Sequence, residues 1–375
     1  MRKVKSWKQV LAVQAASMIS PVLAVLVSLL VGALIILAIG EDPVNAYYQM
    51  FRGAFGDVET FVSVLQRQVP LLLTGLGYAV AFQSGLIQLG GEGQLYIGAF
   101  AAALAGYLIP VPAWLHIPLA LLIGALAGSL YSGIAGVLRT KYDVSEFLTT
   151  LMMTYIASFL TSWLVMYPFR ERTATNPGLA AQTMRILDTA KLPRIWPGVD
   201  LHIGYLIGIA AAVLVWFFLF RTRTGYTFRM TGFNPYFAEY GGINRTRTIM
   251  IAMLLSGALS GLAGSIEVLG VHRRFVDQFS PGYGWDGLAA AILGGSQPLG
   301  TFVASFLFSA LKTGALGMDR NTMVPFELRN VVQATIMFFV AANIFGSIGF
   351  RRSKRSAKAE TKGVTKDDSS AVASV

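Results

Sequence analysis

Residues 84–98 read Ser-Gly-Leu-Ile-Gln-Leu-Gly-Gly-Glu-Gly-Gln-Leu-Tyr-Ile-Gly, a glycine-broken stretch set inside apolar sequence long enough to cross a membrane. It holds Gly85, Gly90, Gly91, Gly93 and Gly98, and one carboxylate, Glu92. Backbone exposed to lipid cannot leave its N–H and C=O groups unpaired. A broken helix at membrane depth must therefore be buried in protein or line a water-filled path. A carboxylate at that depth costs about 3 kcal/mol on insertion scales and persists only for a reason. The combination predicts a transporter.

The composition agrees. Of 375 residues, 54% are hydrophobic and only 13% charged, against about 25% charged in soluble domains. The expected fold class is an all-α polytopic membrane protein. With no cysteine in the chain, disulfides, thiol catalysis and thiolate metal sites are excluded. His116, His202 and His272 are scattered, which argues against a histidine metal site. The net charge of +11 reads as basic loops on the cytoplasmic side, with no nucleic-acid partner. No phosphate-binding P-loop, nucleophile elbow or paired-histidine zinc motif occurs. The chain is expected to carry no catalytic residue, metal or cofactor, so active transport would draw its energy from another subunit or an ion gradient.

Charge-free runs of about 18 residues or more mark candidate spans: 10–40, 70–91, 93–138 (two spans, split near Ile109-Pro110-Val111-Pro112), 147–169, 203–220, 248–266, 287–311 and 330–350. Three regions follow: a cytoplasmic N-terminal segment 1–19, a membrane domain 20–350, and a disordered basic cytoplasmic tail 351–375. The apolar run after Arg2, Lys3, Lys5 and Lys8 is too long for a cleaved signal peptide and reads as a retained span. Basic residues at both ends place both termini in the cytoplasm, which requires an even number of crossings. The run 287–311 is cut by Gly294-Gly295-Ser296-Gln297-Pro298-Leu299-Gly300 and reads as re-entrant or as two short half-helices. That leaves eight full crossings, with ten, both broken regions traversing, as the alternative. Residues 75–93 and 261–287 share a faint pattern, a Gly-Leu start leading to a carboxylate beside glycine, and paired broken segments point to a transport site.

Three elements carry the candidate site. Gln83, Gln88, Glu92 and Gln94 would line the solute path, with Gly85, Gly90, Gly91 and Gly93 breaking the helix. Glu92 could instead be tied to a neighbouring helix terminus or an arginine. The second element is Trp285 and Asp286, followed by Gly294 and Gly295. The tryptophan could stack a ring-bearing solute, or serve as an interfacial anchor beside a helix-capping aspartate. The third is the loop 221–247. Asn234 and Pro235 are a helix start, Tyr236 to Tyr240 a short helix, and Gly241 and Gly242 its stop. Such a helix between spans is a docking surface, or else a surface helix resting on lipid headgroups.

The chain resembles the permease subunits of bacterial ABC importers of the branched-chain amino acid, ribose and nucleoside group. The resemblance lies in 82–99, in 232–244 with 255–270, in 284–300, and less specifically in 146–157. It spans about 60–345, and the Gly-Gly-Glu-Gly-Gln-Leu string brings the chain nearest to nucleoside and simple-sugar permeases. The resemblance implies three partners beyond the bilayer itself, and a docking site for one of them. They are a second, different permease, an ATP-binding subunit holding ATP and Mg²⁺, a substrate-binding lipoprotein or periplasmic protein, and a docking role for Asn234, Pro235, Ala238, Glu239, Gly241 and Gly242. It also implies a multi-pass protein of the bacterial inner membrane. Gln88 stands where the family usually has asparagine, which shifts the reach of the amide. Two other classes remain: an ion-coupled carrier using Glu92 or Glu267 for protons, and a non-transporting scaffold or receptor.

Overall fold

The computed structural model describes residues 25–171, 181–195, 199–325 and 327–341. The N-terminal segment 1–19 and the tail 351–375 lie outside them. The chain divides into two units, Met1–Pro43 with Glu327–Val375, and Val44–Phe326. In the first unit, α1 (Val25–Ile39) turns Leu26, Leu30, Leu34 and Leu37 outward, a leucine row at three- and four-residue spacing. It stops at Gly40, whose φ of +92° suits glycine alone. The other helix of this unit, α13, spans Leu328–Ala341.

The second unit holds α2 (Pro43–Phe55, whose first residue falls in the other unit), α3 (Val58–Gln83), α4 (Gly91–Leu108), α5 (Ala113–Tyr142), α6 (Glu146–Met166), α7 (Gly204–Arg221), α8 (Arg223–Phe233), α9 (Pro235–Tyr240), α10 (Arg245–Glu267), α11 (Tyr283–Leu293) and α12 (Pro298–Asn321). Among the described residues there is no strand, only two isolated bridges. Among the described residues, five helices are by themselves long and apolar enough to cross a membrane: α5, α6, α7, α12 and α10, the last continued by a π-helical turn to His272.

Helix α3 is the centre of the unit. It packs against α10, α11, α12 and α7, and its residues from Val69 to Ala81 are all buried. A helix enclosed by protein need not be apolar enough for lipid, so α3 starts at Val58 and carries Glu59 and Arg67 in its first turns. The expected span 70–91 is corrected accordingly: the helix begins twelve residues earlier and ends at Gln83. Small residues let α4, α5 and α10 approach one another closely. At Gly98 and Gly261, a Cβ on either residue would run into the backbone of a facing helix.

The expectation of two short halves in 287–311 also changes. Helix α11 is short, but α12 continues to Asn321. The charge that ended the run, Lys312, is buried and paired with Asp286. The turn between α11 and α12 sits at the end of α3, where Gln83 Nε2 donates to Ser296 O over 2.9 Å. Lys312, further along α12, reaches back to Pro281 O at 3.5 Å, ahead of α11.

At that opposite end, two segments interlock. Thr183 N donates to Phe275 O, Ile186 N to Arg273 O and Leu187 N to Gly106 O, at 2.9–3.0 Å, and Glu171 pairs with Arg274 at 2.7 Å. His202 is buried here, its Nδ1 accepting from Gly204 N at 3.2 Å. Burial pushes its imidazole down to about 4, so the folded protein resists the proton that the unfolded chain accepts from about pH 6.5 downward. The segment around His202 should lose about 2 kcal/mol of stability between pH 7 and 5, at 1.36 kcal/mol per unit. Hydrogen exchange of residues 181–203 would show this, and His202→Gln should flatten the pH dependence.

Candidate functional site

The first candidate element is a real break between α3 and α4. Gly85, at φ +80°, closes α3: its N–H donates to Phe82 O and the Leu86 N–H to Ala81 O, both at 3.0 Å. This is the Schellman pattern, in which a left-handed glycine ends a helix. Residues 86–90 are not helical, and side chains from neighbouring helices pair part of their backbone. Leu89 N donates to Thr150 Oγ1 (2.9 Å) and Leu89 O accepts from Thr154 Oγ1 (3.1 Å), both on α6. Gly91 N donates to the Tyr78 hydroxyl at 3.0 Å. The backbone at Leu89 and Gly91 is thus paired internally, as membrane depth demands.

Gly85 and Gly90 lie in or at the edge of this break, whereas Gly91 and Gly93 belong to α4 itself. There, a Cβ on Gly93 would stand 2.8 Å from Thr154 Cα. Their role is close packing, a difference from their expected place in the break. Gly294 and Gly295 do form the α11–α12 turn, with Gly295 at φ +63°.

Gln88, Gln94 and Ser256 come together. Gln88 Nε2 donates to Ser256 Oγ of α10, and Gln94 Nε2 to Gln88 Oε1 at 3.3 Å. All three are buried. Among the described residues, Gln94 Oε1 and the nearby Ser260 Oγ are buried without a hydrogen-bond partner, so the cluster of amides and hydroxyls keeps unspent polar capacity. The Glu92 carboxylate accepts from Gly284 N–H, at the N-terminus of α11. There the helix dipole and unpaired N–H groups favour negative charge. Gln83, through Ser296, makes the second link between the two broken segments.

Asp286 does not point into free space: it pairs with Lys312, and the ammonium also lies 5.1 Å over the Tyr283 ring. Tyr283 in turn donates its hydroxyl to Glu267 Oε1 at 3.3 Å. Trp285 beside it is 38% exposed. Thr150, Thr154, Tyr78, Ser256, Ser260 and Lys312 are the participants that sequence reading did not single out. The local signals were the four-residue spacings of Thr150 and Thr154 on α6 and of Ser256 and Ser260 on α10.

The third element is local chemistry at work. Asn234 Oδ1 accepts from Phe237 N at 3.1 Å and Pro235 opens α9. Gly242, at φ +80°, closes it, with Ile243 N donating to Ala238 O at 3.0 Å. Asn244 then caps α10 by accepting from Arg247 N at 2.9 Å. Ala238 is buried, Glu239 and Gly241 are exposed, and Phe233, Tyr236, Phe237 and Tyr240 stand out from the surface at 62–97% exposure. Just before them, Gly232 lies against the break. A Cβ on Gly85 would be 3.1 Å from Gly232 Cα, and one on Gly232 would overlap Gln83 O.

An enclosed broken helix, a second broken pair tied to it, and an aromatic loop helix joined through α8 to the break define a membrane transport subunit. Residues 60–341 match the family model described as the branched-chain amino acid transport system permease component, and the chain belongs to that family. It is 36% identical over 327 residues to the guanosine ABC transporter permease protein NupP of Bacillus subtilis, covering 86% of this chain and 92% of that one. It is 34% identical over 341 residues to the nucleoside ABC transporter permease protein NupB of Lactococcus lactis, covering 89% and 93%. The glucose ABC transporter permease protein TsgB13 of Haloferax volcanii is 33% identical over 336 residues, 87% of each chain. Each of these three organisms also holds a second permease protein that matches this chain more distantly. No solved structure matches the chain.

Proposed function

We propose that this chain is the non-catalytic permease subunit of an ATP-driven importer of nucleosides in a bacterial cytoplasmic membrane. The observation that carries the reading is the seat of Gly232 on the Gln83–Gly85 backbone. It joins the exposed aromatic helix α9, through α8, to the broken segment of the path. ATP and Mg²⁺ belong to a separate ATP-binding subunit docked on Asn234–Gly242, and its movement reaches the break through that backbone contact. A second, non-identical permease completes the path, and a substrate-binding lipoprotein or periplasmic protein meets the interlocked segments at the opposite end. The likeness to NupP and NupB supports the solute class and the paired relatives support the pairing.

The turn 294–297 beside Gln83 and the reach of Lys312 back to Pro281 favour ten crossings over eight, with α11 a short traverse and both termini cytoplasmic. Gln88, Gln94 and Trp285 offer amides and an aromatic face suited to a nucleoside, and Glu92 holds the two broken segments together. Glu92→Gln keeps an acceptor for Gly284 N–H and should retain most uptake. Glu92→Ala leaves that buried donor unpaired and should cost about 1–3 kcal/mol of stability. Thermal unfolding of the purified complex beside uptake in cells checks both.

Uptake of labelled nucleoside in cells lacking the ATP-binding subunit tests the whole. Loss of uptake is expected. Uptake that survives this deletion but collapses with the proton gradient would instead support an ion-coupled carrier. The likeness to TsgB13 favours a second reading, simple-sugar transport. Competition by unlabelled nucleosides or by glucose separates the two.

A further inference from the structure

The cluster of Gln88, Gln94 and Ser256 has one hydroxyl to spare. Ser256 of α10 holds the Gln88 amide. Ser260 stands one helical turn along the same face of α10 and is 1% exposed. Among the described residues its Oγ has no hydrogen-bond partner, and neither has Gln94 Oε1. Buried polar groups are overwhelmingly paired, and one left bare costs its full desolvation. The two hydroxyls are also near neighbours. A Cβ on Gly77 of α3 would lie 3.2 Å from Ser256 Oγ and 3.2 Å from Ser260 Oγ. The Gln88 amide thus occupies one of two similar seats, and the other is empty.

The surroundings leave the amide room to change seats. Gly77 keeps side-chain atoms out from between the hydroxyls. Gly90 does the same beside the Gln94 amide, whose Nε2 would lie 2.8 Å from a Cβ there. Gln88 belongs to the non-helical residues 86–90, so no helical ladder fixes its backbone. Helix α10 follows α9 after only residues 241–244, which ties its position to the docking loop. Against α5 it presents Gly257 and Gly261, where backbone meets backbone without interlocking side chains. Packed elements shift between discrete seats, up to a whole turn at a time, and four residues are about 6 Å of helix.

We propose that Ser256 and Ser260 are positioning residues that seat the Gln88 amide in two states of the transport cycle. Ser256 holds it in the state described here, and Ser260 holds it once the ATP-binding subunit has bound ATP. In the second seat Gln88 Nε2 donates to Ser260 Oγ, and the Ser260 hydroxyl donates to Gln94 Oε1, so both bare atoms are satisfied together. Ser256 is then free to donate to the carbonyl four residues back, as helical serines do. The inference rests on the proposed ATP-driven reading and adds the pair of contacts between which the break is switched.

The test compares Ser256→Ala and Ser260→Ala in the intact transporter, by thermal unfolding without nucleotide and after trapping with ATP and vanadate, and by uptake in cells. Ser260→Ala should leave the nucleotide-free melting unchanged and lower that of the trapped complex. It should also cut the maximal uptake rate about tenfold, the worth of one hydrogen bond of about 1.4 kcal/mol, at an unchanged half-saturating solute concentration. Ser256→Ala should do the reverse to the two melting temperatures. Equal losses in both states for Ser260→Ala, failure of that variant to assemble without nucleotide, or normal uptake with unchanged melting of the trapped complex would each overturn the second seat. Deletion of the ATP-binding subunit separates the two possible failures. Uptake that survives the deletion refutes the ATP-driven reading itself. Uptake that is lost, with melting that does not depend on the state, refutes only the two seats.

Discussion

Lys312→Met alone is expected to destabilise the permease by about 3–5 kcal/mol, and Asp286→Leu alone by a similar amount. The pair is buried, the lysine at 3% side-chain exposure and the aspartate at 12%. Removing one partner strands the other charge where water cannot solvate it. The pair itself gains little, because desolvating two ions offsets most of their attraction. Replacing both with apolar residues of similar volume is therefore often neutral or stabilising. The double variant Lys312→Met with Asp286→Leu should recover most of the loss. Melting of the detergent-solubilised protein and its amount in the membrane measure each step. A double variant as unstable as either single one would show that the pair does more than cancel charge. The transport result is informative too: if the pair only fixes α11, the rescued double variant should carry solute.

This pair also shows what the sequence concealed. Reading spans as charge-free runs treats a lysine as the end of a helix in lipid, and so closed 287–311 just before Lys312. The charge crosses that boundary because an aspartate 26 residues earlier neutralises it, a relation that no local pattern carries. The same rule started the span at 70 rather than Val58, because Arg67 reads as a boundary against lipid, whereas α3 is enclosed by other helices. Glu92 and Gly284 are 192 residues apart. Their link follows from the general need of a helix N-terminus for an acceptor, but nothing in the sequence names the helix. Capping, in contrast, is chemistry within three or four residues. Asn234-Pro235 and Gly241-Gly242 therefore marked the ends of α9 in the sequence, whereas the expected span 70–91 ran past Gly85, where α3 ends. Thr150 and Thr154 were visible as one face of a helix, without any sign that the face receives Leu89.

Because α9 depends so heavily on local chemistry, it is the most sensitive point for coupling. Six residues are far fewer than an isolated helix needs, so its shape rests on its ends. Asn234→Ala removes the cap to Phe237 N, a cost of about 1 kcal/mol. Pro235→Ala returns freedom to the unfolded loop, about 0.4–1 kcal/mol more. Together these lower the population of the docking-competent loop about tenfold, since 1.4 kcal/mol is a factor of ten. The apparent affinity for the ATP-binding subunit should fall by the same factor. The double variant should insert normally, because its changes lie in an exposed loop and leave the buried pair and the break intact. Its uptake should fall about tenfold at limiting ATP-binding subunit and recover when that subunit is supplied in excess. That recovery distinguishes weakened docking from a damaged path, which excess partner would not restore. Normal uptake at limiting partner would refute the docking role of α9. Its three exposed aromatics would then be left to the membrane surface, where vesicle binding by the purified permease should weaken on Tyr236→Ser and Tyr240→Ser.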